Sequence, residues 1–442
     1  MEKCSLIAIF AVFNLFASIE AAPRALDATE LKNLSAIANI ETPVRYDGAQ
    51  LWSVNFADEF SKRVVIGLKR NFDVALWSTN GSEVDVFLKK DAVDGVRQVL
   101  TDNNIRYTIL IADMQKQIET ENPPQEEIEA LQNRNGHRLT WRAYHRLSDI
   151  FSYLDYLVAT YPDLCSIQTI GYSHERRPLK VLRISDGNPK NKAIWIDGGI
   201  HAREWISPAS VTYFVNDLVE NWDDQPSYIR SITWYVLPVH NPDGYEYTHR
   251  SDRLWRKNRS GGNTGRCGGV DLNRNYGYKW GGKGTSANPC QEIYAGRGAF
   301  SEPETAAVKR FFDNKRENFY AFLTFHSYGQ YILHPWGYED VVPPDYKDLE
   351  RVGKEGAQNM RNLDNQVYTV GPSAALLYPA AGGSDDWAKS IGIKYSYTIE
   401  LRDKGRYGFV LPAQYIEPTA KEACTFVHTV SRAVANIRRS DE

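Results

Sequence analysis

The sequence predicts an α/β protein: one large mixed sheet covered by helices on both faces, with a smaller α/β unit ahead of it. Three observations point there. From about Leu139 to the C-terminus, strand-like and helix-like patterns alternate, as a layered sheet-and-helix domain requires. Ahead of them, residues 44–114 carry a shorter set of alternating elements. Finally, three apolar, strand-like runs lead into chemically versatile residues. Residues 193–197 precede Gly198-Gly199-Ile200-His201-Ala202-Arg203-Glu204, a second run ends on Phe325-His326-Ser327, and a third on Thr398-Ile399-Glu400. In open α/β sheets, ligands gather at the carboxyl ends of strands.

The elements follow in chain order. Residues 6–17 form an apolar run preceded by Lys3 and followed by small residues near Ala21. Its length and flanks predict a secretory signal over residues 1–21, too short for a membrane span. No later stretch is apolar enough to span a bilayer. In the small unit, residues 51–56 alternate as a strand and 57–69 have helical spacing. Residues 84–88 are a second strand, 91–100 a helix and 107–111 a closing strand. Residues 116–135 are acidic, contain Pro123-Pro124, and read as a connecting helix or linker that runs into a basic patch from Arg134 to Arg138. No internal repeat or low-complexity tract interrupts the rest.

The chain has 442 residues, a net charge of −3 and 42% hydrophobic residues, enough for a sizeable core in more than one domain. Near-neutral charge without a basic stripe argues against a nucleic-acid binder. Of five cysteines, Cys4 lies in the signal. Cys267 and Cys290 flank a Gly-rich loop and suit a local disulfide, worth about 3 kcal/mol in the chain-entropy model. Cys165 and Cys424 either pair or stay as buried thiols.

The residues at the strand ends form a coherent set. A hydrolytic zinc site needs three protein ligands and an open position. His201, Glu204 and His326 supply the three. Glu400 is a further carboxylate positioned to act as general base, unless it pairs with Arg402. Arg203, Arg256 and Arg274 could meet an anion, although each taken alone reads as a solvated surface residue.

Longer motifs then resemble a known family. Residues 200–209 (IHAREWISPA), 240–244 (HNPDG), 253–257 (RLWRK) and 269–275 (GVDLNRN) are followed by 325–328 (FHSY), 378–387 (YPAAGGSDDW) and 396–411 (SYTIELRDKGRYGFVL). In order and spacing they resemble the digestive zinc metallocarboxypeptidases of the A/B family, in secreted proenzyme form. The resemblance runs from about Tyr144 to the C-terminus and more loosely through the pro-region. It implies a mixed, twisted eight-stranded sheet with helices on both faces, behind a small open-sandwich, ferredoxin-like pro-domain. The implied division is a signal over 1–21, an activation propeptide over 22–134 and a catalytic domain over 135–442. One zinc ion would be held by His201, Glu204 and His326, with Asp271 orienting His201. Glu400 would be the general base and Arg256 would stabilise the oxyanion. Asn273 and Arg274 would grip the substrate carboxylate, Tyr378 would close over the bound residue, and Arg203 and Tyr328 would line outer subsites. Asp385 would sit at the floor of the pocket for the departing side chain, as in basic-specific, carboxypeptidase B-like members. The likeness also implies a Cys267–Cys290 disulfide and cis peptide bonds at Ser327–Tyr328, Pro335–Trp336 and Arg402–Asp403.

Expected partners are the basic C-termini of peptides and proteins and an activating trypsin-like protease that cuts at Arg134 or Arg138. The chain is expected to be monomeric, in an extracellular fluid such as a gut lumen, with no nucleic acid or membrane as partner. Two departures stand out. Basic-specific relatives carry Asp three residues past a pro-region Trp, where this chain has Asn80 after Trp77, starting the Asn80-Gly81-Ser82 sequon. That predicts weaker silencing of the precursor. Gly337 stands where Ser is expected, which predicts a less polar pocket. Asn33 and Asn258 also begin sequons, and Asn258, beside Arg256, is expected to be unused. Competing readings are a preference for apolar C-termini as in A-type members, a catalytically silent peptide binder and a zinc amidohydrolase.

Overall fold

The structure is a computed structural model that describes residues 42–56, 58–131, 137–262, 267–315 and 317–437. The expected signal, Asn33 and Arg134 lie outside these residues. The first sheet contains strands β1 (Gln50–Asn55), β2 (Val74–Asn80), β3 (Glu83–Leu88) and β4 (Tyr107–Ile111), in the order β2-β3-β1-β4 with antiparallel pairing. Two helices, α1 (Glu59–Asn71) and α2 (Val93–Asp102), pack on one face. The core between them joins Trp52, Val54, Val84 and Val86 to Val65, Leu68, Val96 and Leu100. The start of α1 is written locally: the Asp58 carboxylate accepts the Ser61 N–H at 2.7 Å, and the Ser61 hydroxyl answers the Asp58 backbone N–H. The sequence reading missed β2. A register shift between Leu76 and Thr79 breaks its alternation, which is the signal used to recognise a strand.

The large sheet has eight strands in the order β11-β10-β12-β9-β7-β8-β6-β5. They are β5 (Cys165–Tyr172), β6 (Pro178–Ile184), β7 (Lys192–Gly198), β8 (Ile232–Leu237), β9 (Phe319–Ser327), β10 (Tyr331–His334), β11 (Thr369–Pro372) and β12 (Tyr395–Leu401). The central run β12-β9-β7-β8 is parallel, and β5, β6 and β10 supply antiparallel pairs, so the sheet is mixed as expected. Central strands are buried on both faces and alternate between two cores. Ile194, Ile196, Trp234, Val236, Leu323 and Phe325 face the core covered by the helices Leu147–Thr160, Ile206–Glu220, Tyr346–Asp364 and Ile416–Ala435. Trp195, Tyr235, Leu237 and Phe322 face the core covered by the helices Pro303–Asn314 and Ser384–Ser390.

A fourth apolar cluster joins the two sheets' domains: Leu51, Phe87, Ile111 and Met114 of the first meet Leu254 and Val410 of the second. The connecting segment is partly helical, at Met114–Glu119 and Gln125–Leu131. Cys267 and Cys290 are bonded, while Cys165 and Cys424 are buried free thiols. The three expected non-proline peptide bonds are cis. No described helix is long and apolar enough to cross a membrane.

Candidate metal centre and substrate cleft

The site forms where the parallel strands β7, β9 and β12 end. The chain leaves β7 through Gly199, whose φ of +65° and lack of a side chain let it pass beneath Pro208; a Cβ there would lie 2.9 Å from the proline ring. The turn delivers His201 and Glu204 to the mouth of the sheet. His326 ends β9, and Glu400 on β12 is its direct register partner.

His201 Nδ1 lies 2.8 Å from Glu204 Oε1, and His326 Nδ1 lies 3.1 Å from both Glu204 Oε2 and His201 Nδ1. One donor atom from each residue fits within 4.8 Å of the others, and all three residues are buried. Two imidazole nitrogens facing each other across a carboxylate are poorly satisfied without a cation between them. Electrostatics say the same. Burial disfavours a charged His326, but the Glu204 carboxylate outweighs it and raises this histidine to about 9. Burial, with Arg256, instead lowers His201, which leaves that ring a free lone pair, and two imidazoles with one carboxylate suit zinc.

Asp271 organises the surroundings. It is wholly buried, lies 3.2 Å from His201 Nε2, and accepts Arg256 Nε and Nη2 at 3.1 and 2.9 Å. Burial opposes its ionisation, but Arg256 and His201 prevail and hold its carboxyl well below the ordinary range. It also accepts the Asn273 N–H at 3.0 Å, fixing the turn that carries Asn273 and Arg274. Arg274 is anchored through Nε to Gly284 O at 3.0 Å and through Nη1 to Asn273 O at 2.8 Å. All three arginines taken singly as surface residues are largely withdrawn from solvent. Arg203 and Arg274 are buried, and the Arg256 side chain is 12% exposed. Arg203 stacks 4.1 Å from the centre of the Phe409 ring and donates to Leu254 O at 3.2 Å.

Glu400 does not pair with Arg402, whose guanidinium goes to Glu422 and Asp364. Burial pushes Glu400 up to about 7, with His326 and Arg256 pulling down and Glu204 pushing up. At the far end of the cleft, Gly382 passes so close to Arg274 O that a Cβ would lie 2.4 Å away. The helix Ser384–Ser390 follows. Its Asp386 accepts the backbone N–H groups of Gly337 and Tyr338 at 2.8 and 2.9 Å. Asp385 is buried, contacts the Thr398 hydroxyl, and has no salt bridge among the described residues. Burial raises its carboxyl above the ordinary range. The cleft, of about 110 Å³, is lined by His201, Glu204, Arg256, Asn273, Arg274, Tyr328, Tyr378, Asp385 and Glu400. It thus gathers these expected site residues, while Arg203 lies behind Phe409. Tyr378 is 47% exposed at its rim.

Sequence reasoning missed Thr398, Phe409, Ser373 and Leu333 in the lining. Thr398 was recoverable, since it precedes Glu400 by two and shares its face of β12. A wider cleft of about 740 Å³ opens at Arg183, Arg310 and Lys315, near the starts of the parallel strands, and none of the residues above reaches it.

The N-terminal module covers the site. Trp77, Ser78 and Thr79 line the cleft, and Trp77 packs on Phe409 with ring centres 4.8 Å apart. Tyr331 donates to Thr79 O at 2.9 Å. Glu121 is buried in an ion pair with Arg253, whose Nη1 donates to Arg203 O at 2.8 Å. The Asn80 side chain is outside what the structure describes. Asn258 is wholly buried, donating to Glu302 and Glu304 at 2.8 and 3.2 Å, so its sequon offers no accessible amide.

Asp85 of β3 accepts the Tyr328 hydroxyl at 2.7 Å. Burial pushes its carboxyl up to about 6; the Tyr328 bond opposes this, and Asp403 and Glu83 add to it. The docked module thus retains a proton that a free carboxyl, at 3.8, would release. This contribution to docking is full below that ordinary value and is lost as the pH rises through about 6. The melting temperature of the zinc-loaded full chain should therefore decline between about pH 4 and 7.5 more steeply than that of Asp85→Asn. Parallel curves would contradict this.

Comparisons with known proteins agree with this geometry. The zinc carboxypeptidase family model matches residues 150–426, and the carboxypeptidase activation peptide model matches residues 52–121. Carboxypeptidase A1 of Bos taurus is 39% identical over 399 residues, covering 88% of this chain and 94% of that protein. Carboxypeptidase B of Astacus astacus is 43% identical over 298 residues, covering 67% and 98%. A crystal structure of thrombin-activatable fibrinolysis inhibitor superposes with a TM-score of 0.81 at 35% identity, covering 89% of this chain and all of that one. The chain belongs to the zinc carboxypeptidase family, as a proenzyme whose activation peptide precedes the catalytic module.

Proposed function

We propose that this proenzyme, once cut, removes C-terminal Lys and Arg from peptides and proteins in an extracellular fluid such as a gut lumen, acting as a monomer. The observation that carries the specificity is Asp385, a buried carboxylate at the end of the cleft with no salt bridge among the described residues. Asp386 takes the backbone N–H groups of Gly337 and Tyr338; Asp385 accepts the Asp386 backbone N–H and the Thr398 hydroxyl, neither of which neutralises its charge. An unpaired buried carboxylate is costly, and a substrate ammonium or guanidinium relieves it. Relatives of both A and B type are similarly close, so the preference rests on this pocket.

The remaining residues divide the work. The substrate carboxylate pairs with Arg274 and with the Asn273 amide, whose Oδ1 is occupied by the Ser384 N–H at 2.9 Å and whose Nδ2 is left to donate. Tyr378 closes over the bound residue from the rim, and Tyr328 lines an outer subsite that Arg203 backs through the Phe409 ring. Arg256, held by Asp271 on Nε and Nη2, presents Nη1 to the oxyanion. His201, Glu204 and His326 would hold a zinc ion, which would supply Lewis-acid polarisation of the scissile carbonyl and of the attacking water. Glu400 takes a proton from that water and returns it to the leaving nitrogen. Burial pushes its carboxyl above the ordinary range, the direction that suits a group that both accepts and donates.

The division we infer is a signal over 1–21, a propeptide over 22–134 and a catalytic domain over 135–442, opened by a trypsin-like protease. Arg138, the second candidate cleavage site, is exposed. Mild trypsin should yield a catalytic fragment whose N-terminus follows Arg134 or Arg138; a first stable product starting beyond Tyr144 would refute the boundary.

Two variants test the chemistry. Glu400→Gln should keep its zinc and lose most turnover, and full activity there would remove the general-base role. Asp385→Ile should lower kcat/KM for C-terminal Arg by about 30-fold or more, the equivalent of losing one partner of a buried charge pair. A wild-type enzyme that cleaves C-terminal Phe faster than Arg in matched peptides would overturn the assignment.

A further inference from the structure

Behind His326 runs a buried hydrogen-bond chain to which neither the metal nor the substrate reading assigns a role. Thr324 and His326 stand two residues apart on β9, so their side chains leave the same face of the strand. The register of β9 against β7 sets Asp197 directly beside Thr324. Both Asp197 and Thr324 are wholly buried. The Thr324 hydroxyl lies 2.7 Å from Asp197 Oδ1 and 3.3 Å from His326 Nε2. Asp197 Oδ2 accepts the Trp195 indole N–H at 2.6 Å. His240 Nδ1, 3.8 Å from Asp197 Oδ1, is beyond hydrogen-bond range.

Donor and acceptor roles fix the protons. A carboxylate only accepts, so the single hydroxyl hydrogen of Thr324 goes to Asp197. The hydroxyl oxygen is then an acceptor, and His326 Nε2 must be its donor. That turns Nδ1, the atom that meets Glu204 Oε2, toward the site; a cation there would displace the proton that Glu204 favours on Nδ1 and take its lone pair. His201 reaches the same condition differently, with Nε2 directly on Asp271.

We propose that Asp197 and Thr324 are positioning residues for the metal, a carboxylate–hydroxyl–imidazole relay that fixes the tautomer and ring orientation of His326. The proposal rests on His326 being a zinc ligand. Partners of this kind typically change metal affinity by about 10–100-fold. Thr324→Val keeps the side-chain volume and removes the hydroxyl, while Thr324→Ser keeps the hydroxyl.

In the full chain, chelator competition should show zinc held about 10–100-fold more weakly by Thr324→Val, with Thr324→Ser restoring most of the loss. The rise in melting temperature that zinc confers should shrink in Thr324→Val by more than any change in the metal-free protein. Asp197→Asn, which keeps the shape and drops the charge, should weaken zinc in the same direction and serves if the valine variant does not fold. Wild-type zinc affinity in Thr324→Val, with equal losses of melting temperature with and without metal, would overturn the relay. His326→Ala separates this from the site reading. If that variant loses zinc while Thr324→Val holds it normally, the relay alone fails; if His326→Ala binds zinc as wild type does, the ligand assignment fails and the relay with it.

Discussion

The charge of Asp271 is held far from water, and two partners make it tolerable. His201 and Arg256 approach its two oxygens, and the same carboxylate caps the turn that presents Asn273 and Arg274. A buried carboxylate is costly alone, and removing one member of such a group leaves the rest uncompensated. His201, Arg256 and the turn that carries Asn273 and Arg274 are therefore set by one ion-pair network and cannot shift separately. Glu204 extends it, since Arg256 Nη1 lies 4.0 Å from its Oε1.

The N-terminal module exploits the same economy of charge. It adds Glu121 to Arg253 and lays Trp77 over the Phe409 ring that carries Arg203. It silences the cleft by covering it, without occupying the metal ligands. At Asp85 it brings a carboxylate toward Asp403 with no cation between them, a contact that protonation favours. The module is thus joined by a buried ion pair at its end and a proton-dependent contact in its middle.

Much of this was legible in the sequence because site residues sit at strand ends, where apolar runs give way to polar residues. His201, Glu204, His326 and Glu400 could be read that way, and the mixed sheet followed from alternating elements. The strand β2 was not legible, because its bulge hides the period. The state of Cys165 and Cys424 was left open; both are buried thiols, one on β5 and one on the C-terminal helix. The pairing of Arg402 with Glu422 was also hidden, since the partner lies on a helix remote in sequence from β12. Asp386 looked interchangeable with Asp385, and only the three-dimensional loop at Gly337 gives it a separate duty.

The register of β9 has a consequence for how such a chain can change over generations. Thr324 pairs with Asp197 on one side, and His326 pairs with Glu400 on the other. Strand side chains alternate with a period of two, so gaining or losing one residue upstream within β9 would turn Thr324 and His326 to the opposite face, away from Asp197 and Glu400. Surface connections accept length changes readily. Lineages can therefore lengthen or trim the loops around this cleft, while the middle strand can vary only by replacement.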